Sequence, residues 1–165
     1  MDTGLRGKVA VVTGGGGAIC GAIADALAAE GAEVSIWDLD PGAARSRAEG
    51  IAERGARASA FGCDVLDRAA VKAALQATLD RHGTVDILVN GAGGSRREAT
   101  TSPQLPFFDI PEGALQGVLN LNYLSAVLPC QEVGRVFARR GSGVVLNICS
   151  IAGLRPVTRS VSYSN

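Results

Sequence analysis

The stretch from Val9 to Leu27 constrains the fold most. An apolar strand, Val9-Ala-Val-Val-Thr13, enters four consecutive glycines, Gly14 to Gly17, and leaves as an alanine-rich helix. Only glycine lets a backbone turn this tightly and bring its peptide groups close to a ligand. The helix start beyond the turn offers unpaired N–H groups and the positive end of the helix dipole. Strand, glycine turn and helix in this order make an anion cradle of the kind that takes the pyrophosphate of a dinucleotide. The register is not a strict G-x-G-x-x-G; Gly16, Ala18 and Gly21 are its nearest match, and such a loop needs support from elsewhere in the chain.

That support comes from the next strand, Glu33-Val-Ser-Ile-Trp-Asp38, which ends in an acid about 20 residues beyond the glycines, where a ribose-binding carboxylate belongs. Asp38 would accept hydrogen bonds from ribose hydroxyls and repel a 2′-phosphate. Leu39 follows it, and no basic residue appears before Arg45. The expected cofactor is NAD rather than NADP.

Reading onward, strand-like runs alternate with helical patterns: strand Lys8–Thr13, helix Ile19–Glu30, strand Glu33–Asp38, helix Gly42–Arg54, strand Arg57–Gly62. Helix Arg68–His82, strand Asp86–Asn90, a long helix from about Pro111 to Arg139 and strand Gly143–Ile148 complete the series. Apolar strands separated by helices predict an α/β fold: a three-layer, doubly wound parallel sheet of Rossmann type, covered on both faces. Right-handed crossovers put the strand C-termini along one edge, where ligands bind. Thr100–Phe108, with its two prolines, reads as a loop, and residues 1–165 as one dinucleotide-binding domain.

Composition excludes several functions. With 47% apolar and 19% charged residues, and 16 basic against 16 acidic side chains, nothing suggests a basic field for nucleic acid or an anionic membrane. The N-terminus lacks the apolar core of a signal peptide and no run is long enough to span a bilayer, so a cytoplasmic location is expected. Cys20, Cys63, Cys130 and Cys149 form no C-x-x-C, and with a single histidine, His82, no metal site is expected; the cysteines read as buried free thiols.

With these residues in place, the chain resembles the short-chain dehydrogenase/reductase family from about Arg6 to its last residue. Thr13-Gly14-Gly-Gly-Gly17-Ala18-Ile19-Cys20 follows the family's T-G-x3-G-x-G pattern with two substitutions, and Asn90-Gly91-Ala92-Gly93 follows N-N-A-G with glycine second. The resemblance implies cofactor contacts at Gly14, Gly17, Ala18 and Ile19, at Asp38 and Leu39, at Asp64 and Val65 beside the adenine, and at Asn90, Ala92 and Gly93. It also implies catalytic positions: Ser150, Tyr163 thirteen residues later, and Asn122 on the long helix.

Hydride exchange between a carbinol carbon and a nicotinamide requires a proton to move at oxygen, so one group must act as acid/base and another must hold that oxygen. By resemblance Tyr163 is the acid/base, Ser150 the oxygen holder and Asn122 a water-holding relay. The substrate is then a small secondary alcohol or ketone. Pro129 denies the carbonyl of Ser125 its hydrogen bond and should bend the helix just beyond Asn122.

Two departures fall in the glycine motif, where Ala18 and Cys20 replace glycines; Gly21 is expected to relieve the crowding from Cys20. The run Gly14 to Gly21, Asn90 to Gly94 and Arg155-Pro-Val-Thr158 resemble sugar-acid oxidoreductases of the D-mannonate type. Arg155 and Arg159, with Arg96 and Arg97, make two basic pairs that could clamp a carboxylate through forked guanidinium donors; the alternative reading is solvated surface arginines.

The sequence reaches Asn165, short of the position where the family's Y-x-x-x-K motif places a lysine. A free tyrosine is almost wholly protonated at pH 7, and a nearby ammonium is what favours its phenolate. The expectation is therefore the N-terminal part of a longer enzyme, lacking the C-terminal elements of the family fold and leaving Gly143–Ile148 as an exposed sheet edge. At full length, by resemblance, it is a homo-oligomer. The alternative reading is a dinucleotide-binding or oligomer-forming fragment without catalysis.

Overall fold

A computed structural model describes residues 2–155 and 157–164; Pro156, within the Arg155-Pro-Val-Thr158 motif, lies outside the described residues. Among the described residues five strands alternate with four α-helices: β1 (Val9–Thr13), α1 (Ala18–Ala29), β2 (Glu33–Asp38), α2 (Pro41–Glu53), β3 (Ala58–Gly62), α3 (Arg68–His82), β4 (Ile87–Asn90), α4 (Glu112–Arg140) and β5 (Val144–Asn147). All neighbouring strands pair in parallel, in the order β3-β2-β1-β4-β5. The chain steps outward from β1 to β3, then returns to the other side of β1 for β4. This reversal opens a crevice at the C-terminal ends of β1 and β4.

Side-chain alternation along the strands supplies two cores. Val11, Trp37 and Leu88 point to one face and pack with Val71 and Leu75 of α3 and Val133 of α4. Val12, Val34, Ile36 and Val89 point to the other and pack with Ala24 and Ala28 of α1 and Ile51 of α2. Small alanines on α1 and α2 let those helices lie close to the sheet. Buried polarity is paired: the Trp37 indole N–H donates to Ser35 Oγ (3.1 Å) and Thr78 Oγ1 (3.0 Å).

Local chemistry explains the element ends. Asp40 caps α2 by accepting from the backbone N–H of Gly42 and Ala43, with Pro41 in the first turn, and Asp67 caps α3 through Ala69 N–H. Gly83 and Gly141 end α3 and α4 in the left-handed conformation. α4 runs unbroken through Pro129, whose ring is buried. The Thr100–Phe108 segment is mostly loop, as expected, but the short helical turns at Arg97–Ala99, Phe107–Asp109 and Ile151–Gly153 carry no strong sequence periodicity.

The outer strand is exposed along its length, with Val144 59% and Leu146 47% accessible. Among the described residues β5 is the last strand on this side of the sheet. Cysteine burial is a partial correction: Cys20 and Cys63 are buried, Cys130 is half-buried and Cys149 is exposed.

Candidate functional site

The glycine turn is a scaffold first and a ligand loop second. Gly14 has φ of +65°, and a Cβ there would stand 3.1 Å from both Cα and N of Ala92, so glycine is required where β1 and the β4 loop cross. The next three N–H groups are already engaged: Gly15 donates to Trp37 O, Gly16 to Asp38 Oδ2 (2.9 Å) and Gly17 to Gly14 O. The first intrahelical bond of α1 runs from Gly21 N–H to Gly17 O, and Gly17 provides no side-chain cap. The donors left for an anion are therefore the first-turn N–H groups of Ala18, Ile19 and Cys20. The sequence motif alone points to the glycines instead.

A cleft of about 440 Å³ opens above this turn. Gly14, Gly17, Ala18 and Ile19 line its floor, Asp38 and Leu39 its β2 side, Asp64 and Val65 its β3 side, and Ala92 and Gly93 its β4 side. Asp38 is held by two backbone groups, accepting from Gly16 N–H through Oδ2 and from Asp40 N–H through Oδ1 (3.0 Å). Its orientation is fixed while lone pairs on both oxygens stay available. Asp64 is exposed and accepts from Leu66 N–H (2.9 Å). Ile19 and Leu39 are 70% and 74% exposed, so two apolar walls flank the opening.

Two thiols adjoin the cleft, and both are neutral. Burial, then the charges of Asp64 and Asp67, push the Cys63 thiol up to about 11. Burial, then Asp38, also raises Cys20. Neither is a nucleophile at neutral pH.

A second cleft, of about 650 Å³, shares Ile19, Cys20 and Gly91–Gly93 with the first. Asn90, Asn122, Ser150 and Tyr163 all line it. The fourteen site residues expected from sequence thus meet around two adjoining spaces. Asn90 Nδ2 donates to Asn147 Oδ1 (2.9 Å) and Cys130 Sγ (3.1 Å), tying β4 to β5 and α4. Ser150 Oγ accepts from Ala152 N–H (3.2 Å), which leaves its own proton free to donate.

Asn122 is already committed. Its Nδ2 donates to Gly94 O (2.8 Å) and Val118 O (2.8 Å), and its Oδ1 accepts from Gly94 N–H (2.9 Å). The amide therefore pins the loop after β4 to α4 by pairing with Gly94 as another peptide would. Asn122→Ala removes these bonds; at about 0.5–1.5 kcal/mol each, the melting temperature should fall by roughly 3–10 °C. Thermal denaturation checks this, and an unchanged midpoint would deny Asn122 the pinning role.

Sequence reasoning missed Thr13 as a working side chain. Its hydroxyl is buried and accepts from Gly91 N–H (3.0 Å) and Ala92 N–H (3.2 Å), fixing the β4 loop against β1. A polar residue closing an otherwise apolar strand was the available signal. The role expected of Gly21 is corrected: a side chain there would collide with the Arg47 guanidinium, which is paired with Asp25 (2.8 Å), so Gly21 clears space for α2 and not for Cys20.

The arginines expected to clamp a carboxylate are exposed, and none lines the second cleft. Their two segments do meet: Arg159, at φ of +72°, offers its carbonyl to the N–H of Thr101 (2.9 Å).

Comparison with known proteins gives this geometry a family. D-threitol dehydrogenase of Mycolicibacterium smegmatis is 36% identical, across 99% of this chain and 60% of its own length. A candidate D-mannonate oxidoreductase from Haemophilus influenza, solved with NAD bound, superposes with a TM-score of 0.90 at 33% identity, covering 97% of this chain and 61% of that one. A 7α-hydroxysteroid dehydrogenase, solved with NADH and 7-oxo glycochenodeoxycholic acid, superposes with a TM-score of 0.87 at 32% identity, covering 97% and 60%. The chain spans about 60% of the length of the curated relatives it matches. The family model for short chain dehydrogenase matches residues 8–165, and the chain belongs to that oxidoreductase family.

Proposed function

We propose that the protein is an NAD-dependent oxidoreductase that moves a hydride between the nicotinamide and a secondary alcohol or ketone, with a sugar acid of the D-mannonate/D-fructuronate type as substrate. The observation that carries this is the continuity of the two clefts. The unpaired N–H groups of Ala18, Ile19 and Cys20 open into a space that leads, past Gly93, to Asn122, Ser150 and Tyr163.

The residues present fit the dinucleotide. The first turn of α1 takes the pyrophosphate, Asp38 the adenosine ribose, and Ile19 and Leu39 the faces of flat rings; Asp64 and Val65 border the adenine end. The bound nicotinamide supplies the hydride acceptor or donor. In the oxidative direction Tyr163 acts as its phenolate, taking the alcohol proton and becoming the phenol, while Ser150, its oxygen already accepting from Ala152 N–H, donates to the substrate oxygen. Asn122 holds the nicotinamide-side loop through Gly94. Small-molecule substrate, cytoplasmic location and a homo-oligomeric full-length protein belong to the same proposal.

Asp38 carries the choice of NAD over NADP, because its carboxylate would face a 2′-phosphate. Asp38→Ser is expected to lower the ratio of NADH to NADPH affinity by about tenfold or more, given roughly 1.5–3 kcal/mol for hydrogen bonds to a charged group. Fluorescence titration with both cofactors measures it; an unchanged ratio would remove Asp38 from the choice.

The sugar-acid reading rests on the name of the Haemophilus relative and on the adjacency of the segments bearing Arg96, Arg97, Arg155 and Arg159. The test follows NADH absorbance with D-mannonate, D-threitol and a 7α-hydroxysteroid, in the full-length protein and in its Arg155→Met variant. Turnover of D-mannonate above the other two, with a selective loss in Arg155→Met, is expected. Preference for the neutral polyol or the steroid would overturn the substrate class. NADH binding without turnover of any secondary alcohol would favour the non-catalytic reading.

A further inference from the structure

We infer that Cys20 and Gly91 form one coupled unit that sets the spacing between the first turn of α1 and the loop after β4, and thereby shapes the cofactor cleft. This rests on the NAD-binding reading above for its functional half. Its geometric half stands alone.

Gly91 is not held to glycine by its backbone, since its φ lies outside the left-handed region. A neighbour imposes it. A Cβ built at position 91 falls on the Sγ of Cys20, while the next nearest atoms, Thr13 O at 3.2 Å and Cys20 Cβ at 3.4 Å, are far less obstructive. The thiol has little room to move away, as Cys20 is only 4% exposed. Nor can the loop retreat freely, because Thr13 Oγ1 holds the N–H groups of Gly91 and Ala92. Gly91 is thus gripped between the end of β1 and the side chain of Cys20.

This accounts for two departures from the sequence pattern as one event. Position 20 carries a side chain where T-G-x3-G-x-G has glycine; position 91 has glycine where N-N-A-G has asparagine. One slot admits one side chain, and in this chain α1 fills it. Both residues line both clefts, and the backbone N–H of Cys20 is one of the three donors left for an anion. Cys20 is therefore a positioning residue: displacing its side chain moves the anion donors relative to the nicotinamide-side loop.

The test is a double-substitution cycle with Gly91→Ala, Cys20→Ala and both together, read by thermal unfolding without cofactor and by NADH fluorescence titration. Gly91→Ala alone should overpack the slot and lower the melting temperature by roughly 2–12 °C, with NADH binding weakened tenfold or more. In the double variant the Cβ at 91 loses its clash with Sγ and keeps the contacts with Cys20 Cβ (3.4 Å) and Thr13 O (3.2 Å). Its melting temperature and NADH affinity should return most of the way to those of Cys20→Ala alone. Two independent structural losses would instead add.

Additive effects, or a Gly91→Ala variant indistinguishable from the parent, would overturn the inference. Coupled unfolding with parent-like NADH affinity in Gly91→Ala would overturn its functional half while leaving NAD binding intact. If the parent binds no NADH, the proposed function falls together with that functional half, and the unfolding cycle still decides the pair.

Discussion

Replacing Gly14 with valine is expected to abolish dinucleotide binding and to destabilise the chain. Two costs combine. A β-branched residue at φ of +65° pays about 1–2 kcal/mol for the left-handed conformation. Its Cβ would also stand 3.1 Å from the Cα and N of Ala92, which are backbone atoms in a loop already tied to Thr13 and cannot swing away like a flexible side chain. Overpacking of this kind adds about 1–3 kcal/mol. The total of about 2–5 kcal/mol corresponds to a fall in melting temperature of roughly 5–15 °C. NADH affinity should drop at least a hundredfold, because the strain falls where the two strands flank the cleft. Gly113→Ala, in the first turn of α4 with open space around it, is the control and should leave NADH binding unchanged and the melting temperature equal or slightly raised. A Gly14→Val variant that melts normally and binds NADH would remove the β1–β4 crossing from the cofactor site.

The second large effect concerns chemistry alone. Tyr163 lines the second cleft with Asn122 and Ser150, and Tyr163→Phe keeps the ring while deleting only the hydroxyl. If that hydroxyl transfers the proton, kcat should fall by about 10²–10⁴-fold, while NADH affinity stays within about twofold of the parent. Ser150→Ala should also depress kcat, since the oxygen loses its donor, but Tyr163→Phe removes the proton carrier itself. The experiment is steady-state kinetics beside a cofactor titration on the same preparations. Retained turnover in Tyr163→Phe would remove the acid/base assignment, and equal losses in kcat and cofactor affinity would mark Tyr163 as a packing residue.

These two sites differ in how legible they were. Gly14 announces itself, because a run of glycines between an apolar strand and a helix builds a tight turn that few ligands besides an anion require. Ser150 and Tyr163 are ordinary residues taken singly; only their thirteen-residue separation and the family resemblance pick them out, and the fold then places both around one cleft. Cys20 and Gly91 were visible only as two unrelated departures 71 positions apart. Gly21, adjacent to Cys20 in sequence, was the natural candidate to relieve crowding, but neighbours along a helix point in different directions. Gly21 faces Arg47 of α2, while Cys20 faces Gly91.

By itself the sequence determined the order and type of every major element, the two buried faces and the ligand-binding end of the sheet. These follow from local and periodic information: alternation of apolar residues, alanine-rich stretches, glycine and proline punctuation, and acids at strand ends. Tertiary structure alone decided which N–H groups remain free for an anion, because Gly15, Gly16 and Gly17 are consumed by partners on β2 and within the turn. It decided that Asn122 pins Gly94, that none of the four arginines lines the Ser150–Tyr163 cleft, and that Cys20 fills the slot above Gly91. Each of these depends on distances between segments far apart in the chain, and no periodicity within a segment encodes such a distance.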